Sequence, residues 1–225
     1  MTLLRRSVLL SLFLTLASGA ARAQAPANCA LANAVDSSTY SNLTIGAWSE
    51  VDQDNASYNW AECRAAALRR TLNGNPKLSA RIDTLRRQYR EMRAIESELA
   101  GTRAGGGTMY AHAVPRSFAF LEEQIGSLAA LARSPLGGQT GALYARQITQ
   151  ARADHAAYIA ALRRYRPGLD EDYVQFDPAD WKARVDRYEA LGKAIMLTLG
   201  SRNDAATATG YAVLTSPVFS ADGDY

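Results

Sequence analysis

The chain has 225 residues, with 25 lysines and arginines against 22 aspartates and glutamates, and only two cysteines and two histidines. Its formal charge of +3 equals the contribution of Arg5, Arg6 and Arg22. All three lie in an amino-terminal export segment, so the remainder is neutral and does not point to nucleic-acid binding. No Cys-x-x-Cys spacing is present, which leaves a dithiol redox centre or a zinc site without support.

Residues 1–23 read as a cleavable signal peptide. Arg5 and Arg6 supply the basic start, Val8 to Ala17 an apolar stretch, and Ala21-Arg22-Ala23 a small-residue cleavage site. The apolar stretch falls short of the ~20 residues that span a bilayer. A lipoprotein is disfavoured, because Cys29 follows Pro26-Ala27-Asn28 instead of an apolar-small attachment sequence. The mature chain is therefore expected in the periplasm or outside the cell, not spanning the membrane. Cys29 and Cys63 remain after cleavage, in a compartment that permits disulfides. A bridge between them would stabilise the fold by roughly 3–4 kcal/mol in the chain-entropy view.

About 200 mature residues suit one domain. The segment from Gln24 to Asn59 is rich in Ser, Thr, Asn and Asp, and at most one short helix is expected near Cys29 to Val35. Helical spacing begins with Trp60, Cys63, Ala67 and Leu68, giving a helix over about 57–73 that ends at Gly74. Asn75-Pro76 starts a second helix, with the proline where its missing N–H costs nothing. Leu78, Ile82, Leu85, Tyr89, Met92 and Leu99 form its seam. Arg81, Arg86, Arg87, Arg90 and Arg93, with Glu91, Glu96 and Glu98, are expected on solvated, salt-bridged sides.

A glycine-rich link over 101–107 precedes a third helix carrying Phe118, Leu121, Ile125 and Leu128 and ending near Ser134. Pro115 should start or kink it. The fourth helix has the most regular seam: Tyr144, Ile148, Ala151, His155, Tyr158, Leu162 and Tyr165. Asp177-Pro178 caps a fifth, with Trp181, Val185, Tyr188, Ile195 and Leu199 before Gly200. From residue 204 to 225 no helical period is visible, so a short strand near Tyr211 to Leu214 or a mobile tail is expected. Short connections favour antiparallel neighbours. The fold class is all-α: an antiparallel bundle or elongated hairpins of four to five helices, one domain over 24–203. Charge is uneven, acidic at both ends and basic between, which suits ends that pack near the middle.

Candidate chemistry is sparse. Asp154 and His155 are sequence neighbours and point to different faces, so His155 on a seam reads as a core residue. Gly105-Gly106-Gly107-Thr108 lacks the Lys-Ser/Thr of a phosphate-binding loop. Asp170-Glu171-Asp172 lacks the glycine and terminal glutamate of a calcium loop. No catalytic residue, metal ligand or cofactor is assigned.

One stretch resembles a known family. Tyr89-Arg90-Glu91-Met92-Arg93, then Gly106-Gly107-Thr108 and Arg116, is similar in order to the periplasmic lysozyme-inhibitor-like (LprI-type) domain, over about residues 76–131. Tyr89 stands where that family prefers Trp, Met92 replaces an aromatic, and Glu96 occupies the usual Cys position. The resemblance implies a small helical envelope module that binds lysozyme-like enzymes, with Arg93 as a structural residue. The leading expectation is a non-catalytic binding or interaction protein. Its partner surface is placed on Trp48, Glu50, Asp52 and Asp54, an aromatic ringed by acids. Acids would steer a basic partner toward it. The alternatives are a lysozyme inhibitor, or a small-ligand carrier with a cavity lined by Tyr144, Tyr158, Tyr165 and Tyr188.

Overall fold

The computed structural model describes residues 50–103, 109–166 and 176–215. Six α-helices account for most of them: α1 Glu50–Thr71, α2 Pro76–Arg103, α3 Met109–Arg133, α4 Ala142–Arg164, α5 Pro178–Leu199 and α6 Ala205–Leu214. The fold is an all-α helical bundle. Among the described residues there is no strand beyond one isolated bridge, Thr140 to Asp204, and no helix is long and apolar enough to cross a membrane.

Local chemistry sets the helix ends. The Asn75 side chain accepts from the N–H of Leu78 at 3.1 Å, and Pro76 is the first residue of α2. Asp177 caps α5 through the N–H of Ala179 at 2.8 Å, again with proline next. Gly200 closes α5 at φ 77°, a left-handed conformation that favours glycine. A short 3-10 turn, Pro135–Gly138, joins α3 to α4. A Cβ at Gly137 would lie 1.6 Å from the carbonyl oxygen of Leu131, so only glycine fits there. Where a helix started at Pro115 or kinked there was one expectation, α3 begins before it, at Met109.

α2 is the longest helix. It packs on α3 and on α5, running antiparallel to α5, since Glu91 meets Arg187 and Glu98, further along, meets Arg184. α1 packs on α3 and is tied to α2 by the Arg69–Asp83 and Glu62–Arg90 ion pairs. The expected seams are mostly buried, with Leu78, Phe118, Tyr144, Tyr158 and Tyr165 partly exposed. Ile82, Leu85, Tyr89, Met92 and Leu99 line up with Leu121, Ile125 and Leu128, with Ile148 and Leu162, and with Val185, Tyr188 and Ile195 in one core.

Two expectations are corrected. The first concerns residues after 203. Ala205–Leu214 form no strand or tail but the buried helix α6, capped by Asp204 through the N–H of Thr207 at 2.8 Å. It packs against α3, α4 and α5, and Tyr211 and Leu214 are fully enclosed. The less buried positions of α6, Ala205, Ala206, Thr209 and Ala212, carry small uncharged side chains, so the helix has no charged face and shows no clear apolar period in sequence. Residues 216–225 lie outside the described residues. The second correction concerns the arginine face of α2. Arg86, Arg93 and Glu96 are buried at 4%, 3% and 0% exposure, because neighbours surround α2 and leave only part of its circumference, with Arg81 and Arg87, to solvent.

Candidate functional site

The buried charges of α2 are held as pairs. Glu122 of α3 is fully enclosed and accepts from Arg86 Nε at 2.9 Å and from Arg90 Nη2 at 2.7 Å. Arg86 also pairs with Asp83, and Arg90 with Glu62. Deeper along α2, Arg93 donates to Glu96 at 2.7 Å and to the carbonyl of Val213 in α6 at 2.8 Å. Desolvation of each ion is offset by direct hydrogen bonds. These groups clamp helices together.

His155 lies in the α4–α5 contact, its ring 5.7 Å from that of Tyr188 and nearly parallel to it. A Cβ at Gly192 would stand 2.1 Å from His155 Nε2, so the glycine makes room for the imidazole. Nε2 has no hydrogen-bond partner among the described residues. Burial lowers the His155 pKa below its ordinary value, against a smaller opposing pull from Glu189. A neutral, packed histidine is a core residue, in line with its place on the seam.

An open cleft occurs elsewhere, where the end of α4 meets the start of α5. Its volume is about 460 Å³, within the range of ~300–1,000 Å³ for small-ligand pockets. Phe176, Pro178, Trp181 and Val185 supply the apolar wall, while Arg163, Arg166, Lys182 and Asp186 supply the rim. The wall is built by ring packing. Tyr165 and Trp181 have centroids 4.8 Å apart, and Phe176 lies 5.8 Å from Trp181. Trp181 Nε1 donates to the carbonyl of Leu162 at 2.9 Å, which satisfies the indole N–H inside the protein. Arg103, at the end of α2, lies over the Tyr165 ring at 5.4 Å and backs the cluster.

The rim charges are unequally engaged. Lys182 bonds to Asp186 at 2.6 Å and Arg163 at 3.1 Å, and Arg163 also pairs with Glu189. The Lys182 bond, then the Arg163 bond, hold the Asp186 carboxyl below its ordinary range. An ionised, ion-paired aspartate has no proton to donate near neutral pH. Arg166 differs: its Nη1 donates to the carbonyls of Arg163 and Tyr165 at 3.1 and 2.7 Å, and it has no carboxylate partner among the described residues. The arrangement is suited to holding an apolar body beneath a cationic edge.

A second groove, about 420 Å³, runs between α4 and α6 and is lined by Ala151, Ala205, Ala208 and Ala212 with Tyr144, Gln147 and Asp154. Among the described residues its lining includes no cation, and Tyr144 is its one aromatic residue.

The four tyrosines proposed for a carrier cavity do not share one. Tyr188 is buried beside Tyr158, ring centroids 5.7 Å apart; Tyr165 belongs to the aromatic cluster and Tyr144 to the alanine groove. Cys29 and Trp48 lie outside the described residues, as do the side chains of Glu50, Asp52 and Asp54, although α1 includes those three positions. Helical spacing sets residues 50 and 54 on one face and 52 on another. Cys63 is buried against Trp60 and Ala119. Of the stretch that resembles the lysozyme-inhibitor-like domain, Tyr89, Met92 and Arg93 are core residues, and 106–108 lie outside the described residues. Gly105 and Asp170 to Asp172 also lie outside them. Among the described residues no three His, Cys, Asp or Glu side chains are grouped to hold a metal ion.

The cleft was not singled out from sequence. Its signal was present as Arg163-Arg164-Tyr165-Arg166 beside Phe176 and Trp181, but these residues straddle the break between two helices, where a single-helix period has nothing to report. Comparison with protein-family models, with characterised proteins and with solved structures finds no match to this chain.

Proposed function

We propose that the chain is an exported, non-catalytic binding protein that takes its ligand at the cleft between α4 and α5. The observation that carries this reading is the wall of Phe176, Pro178, Trp181 and Val185 under a rim of Arg163, Arg166 and Lys182. An apolar surface with a few convergent polar groups binds and orients a molecule. Asp186, the carboxylate on that rim, is committed to Lys182 and Arg163, which favours binding over proton transfer. Export rests on the basic, apolar and small-residue order of residues 1–23. In the exported chain Cys63 pairs with Cys29, a reading supported by the burial of Cys63 beside Trp60 and by the even cysteine count.

The test is a thermal-shift screen of the mature chain against small molecules of graded charge and apolar content, with mass analysis of each compound afterwards. Saturable stabilisation by one class, with the compound recovered unchanged, is expected. Chemical conversion of a stabilising compound overturns the non-catalytic reading, and no stabilisation by any class overturns the binding reading.

A further inference from the structure

Resting on that reading of the cleft, we propose that its ligand is an amphipathic monoanion: a flat apolar body bearing one carboxylate or comparable anionic group. The body is specified by the wall. Phe176, Trp181 and Tyr165 are packed edge-on and tilted, at centroid distances of 4.8 to 6.1 Å. Trp181 is buried and spends its N–H on the carbonyl of Leu162, and Tyr165 packs behind it, so Phe176 is the ring that faces the cleft and the wall offers no donor. Aromatic surfaces of this kind favour another ring over an equal area of alkyl chain.

The anion is specified by the rim. Three cations and one carboxylate line the cleft, and the carboxylate is shared between Lys182 and Arg163. Among the described residues, Arg166 is the rim cation with no carboxylate partner. Its Nη1 is tethered to two carbonyls at the end of α4, which orients the guanidinium while its other N–H groups stay available to a ligand oxygen. A guanidinium is planar and presents paired N–H groups, the geometry a carboxylate accepts. A cationic ligand would meet this edge with repulsion, and a neutral one would gain nothing from it.

The test uses the full mature chain and three probes that share a naphthalene body, 2-naphthoate, 2-naphthol and 2-naphthylmethylammonium, titrated calorimetrically at neutral pH. Naphthoate is expected to bind one to one, about tenfold tighter than naphthol, with the cation weakest. Arg166→Gln is expected to bring naphthoate down to the naphthol level and leave naphthol unchanged, while Arg166→Lys retains part of the preference. Phe176→Ala is expected to weaken naphthoate and naphthol by the same factor. Unchanged melting temperatures would certify that all three variants fold. Equal affinity for naphthoate and naphthol overturns the anion assignment and leaves the binding reading standing. Naphthoate binding that ignores both Arg166→Gln and Phe176→Ala places the ligand elsewhere and overturns the proposal. No binding of any probe, beside a positive thermal screen, overturns this ligand class alone; a negative screen as well overturns the function.

Discussion

Arg81 of α2 reaches the last turn of α5, where its Nε donates to the carbonyl of Thr198 at 3.0 Å and its Nη2 to that of Leu199 at 2.6 Å. Those carbonyls are among the four that a helix end leaves without an intrahelical partner, and the cation also faces the negative end of the dipole. Arg81→Ala should lower stability by about 1 kcal/mol, since the side chain is exposed and part of the bond is replaced by water. Urea denaturation measures the loss. Faster amide exchange confined to residues near 196–200 would locate it at the helix end.

The enclosed Glu122 makes a sharper case. Removing it strands Arg86 and Arg90 without their buried partner, and such losses run to about 3–5 kcal/mol. Glu122→Ala keeps the β-carbon and deletes a fragment the size of acetate. Acetate should therefore raise the melting temperature of the variant, saturably and beyond the effect of equal chloride, and do nothing comparable to the unmodified chain. Equal responses to acetate and chloride would show that the two guanidiniums collapse onto other partners.

Core positions separate cleanly from surface ones. Leu85, Ile148 and Leu162 are enclosed at 0%, 4% and 2% exposure, and truncating any one to Ala should cost about 2–5 kcal/mol. Arg87, exposed on the same helix as Leu85, should tolerate Ala within about 0.5 kcal/mol. Chemical denaturation of the four variants checks the contrast.

The same residues show what was legible in the sequence. The long helices announced themselves through seams with one apolar stripe, except that α1 begins at Glu50 and not near 57, where its polar first turns carry no stripe. The Asn75-Pro76 and Asp177-Pro178 caps marked two starts, because these signals are local. What depended on neighbours was hidden. Arg86 and Arg93 carry the same charge as Arg87, and only the packing of α3 and α6 around α2 separates buried clamps from a solvated side chain. Ala205–Leu214 contains no charged residue, and even its exposed position is an alanine, Ala212, so the helix was indistinguishable from an aperiodic tail. The cleft needed both at once: Arg166 and Phe176 become neighbours of one space only when α5 turns back along α4.

His155 makes acidity a probe of the α4–α5 contact. It is buried, stacked on Tyr188, and fitted against Gly192 with no room for a Cβ. Tyr158 packs on the same Tyr188 ring, and Glu189 is the charged group whose field reaches the imidazole. Burial lowers its folded pKa, whereas the unfolded chain titrates near the ordinary value of 6.5. Below that value the unfolded state binds a proton that the folded state resists. The stabilising contribution is thus complete above about pH 6.5 and is lost as pH falls toward and through the folded pKa. Asp186 and Glu189 also have lowered pKa values, but from ordinary values of 3.8 and 4.5, so their losses come at more acidic pH. Between pH 7 and 5 the unfolding free energy should fall for the unmodified chain and fall less steeply for His155→Gln. Guanidinium titrations at pH 7, 6 and 5 measure both slopes, and equal slopes would mean that the imidazole is protonated in place, with Glu189 as its partner. Gly192→Ala sharpens the comparison, because its β-carbon must displace Nε2 and should lower stability even at pH 7, where the histidine is neutral in both states.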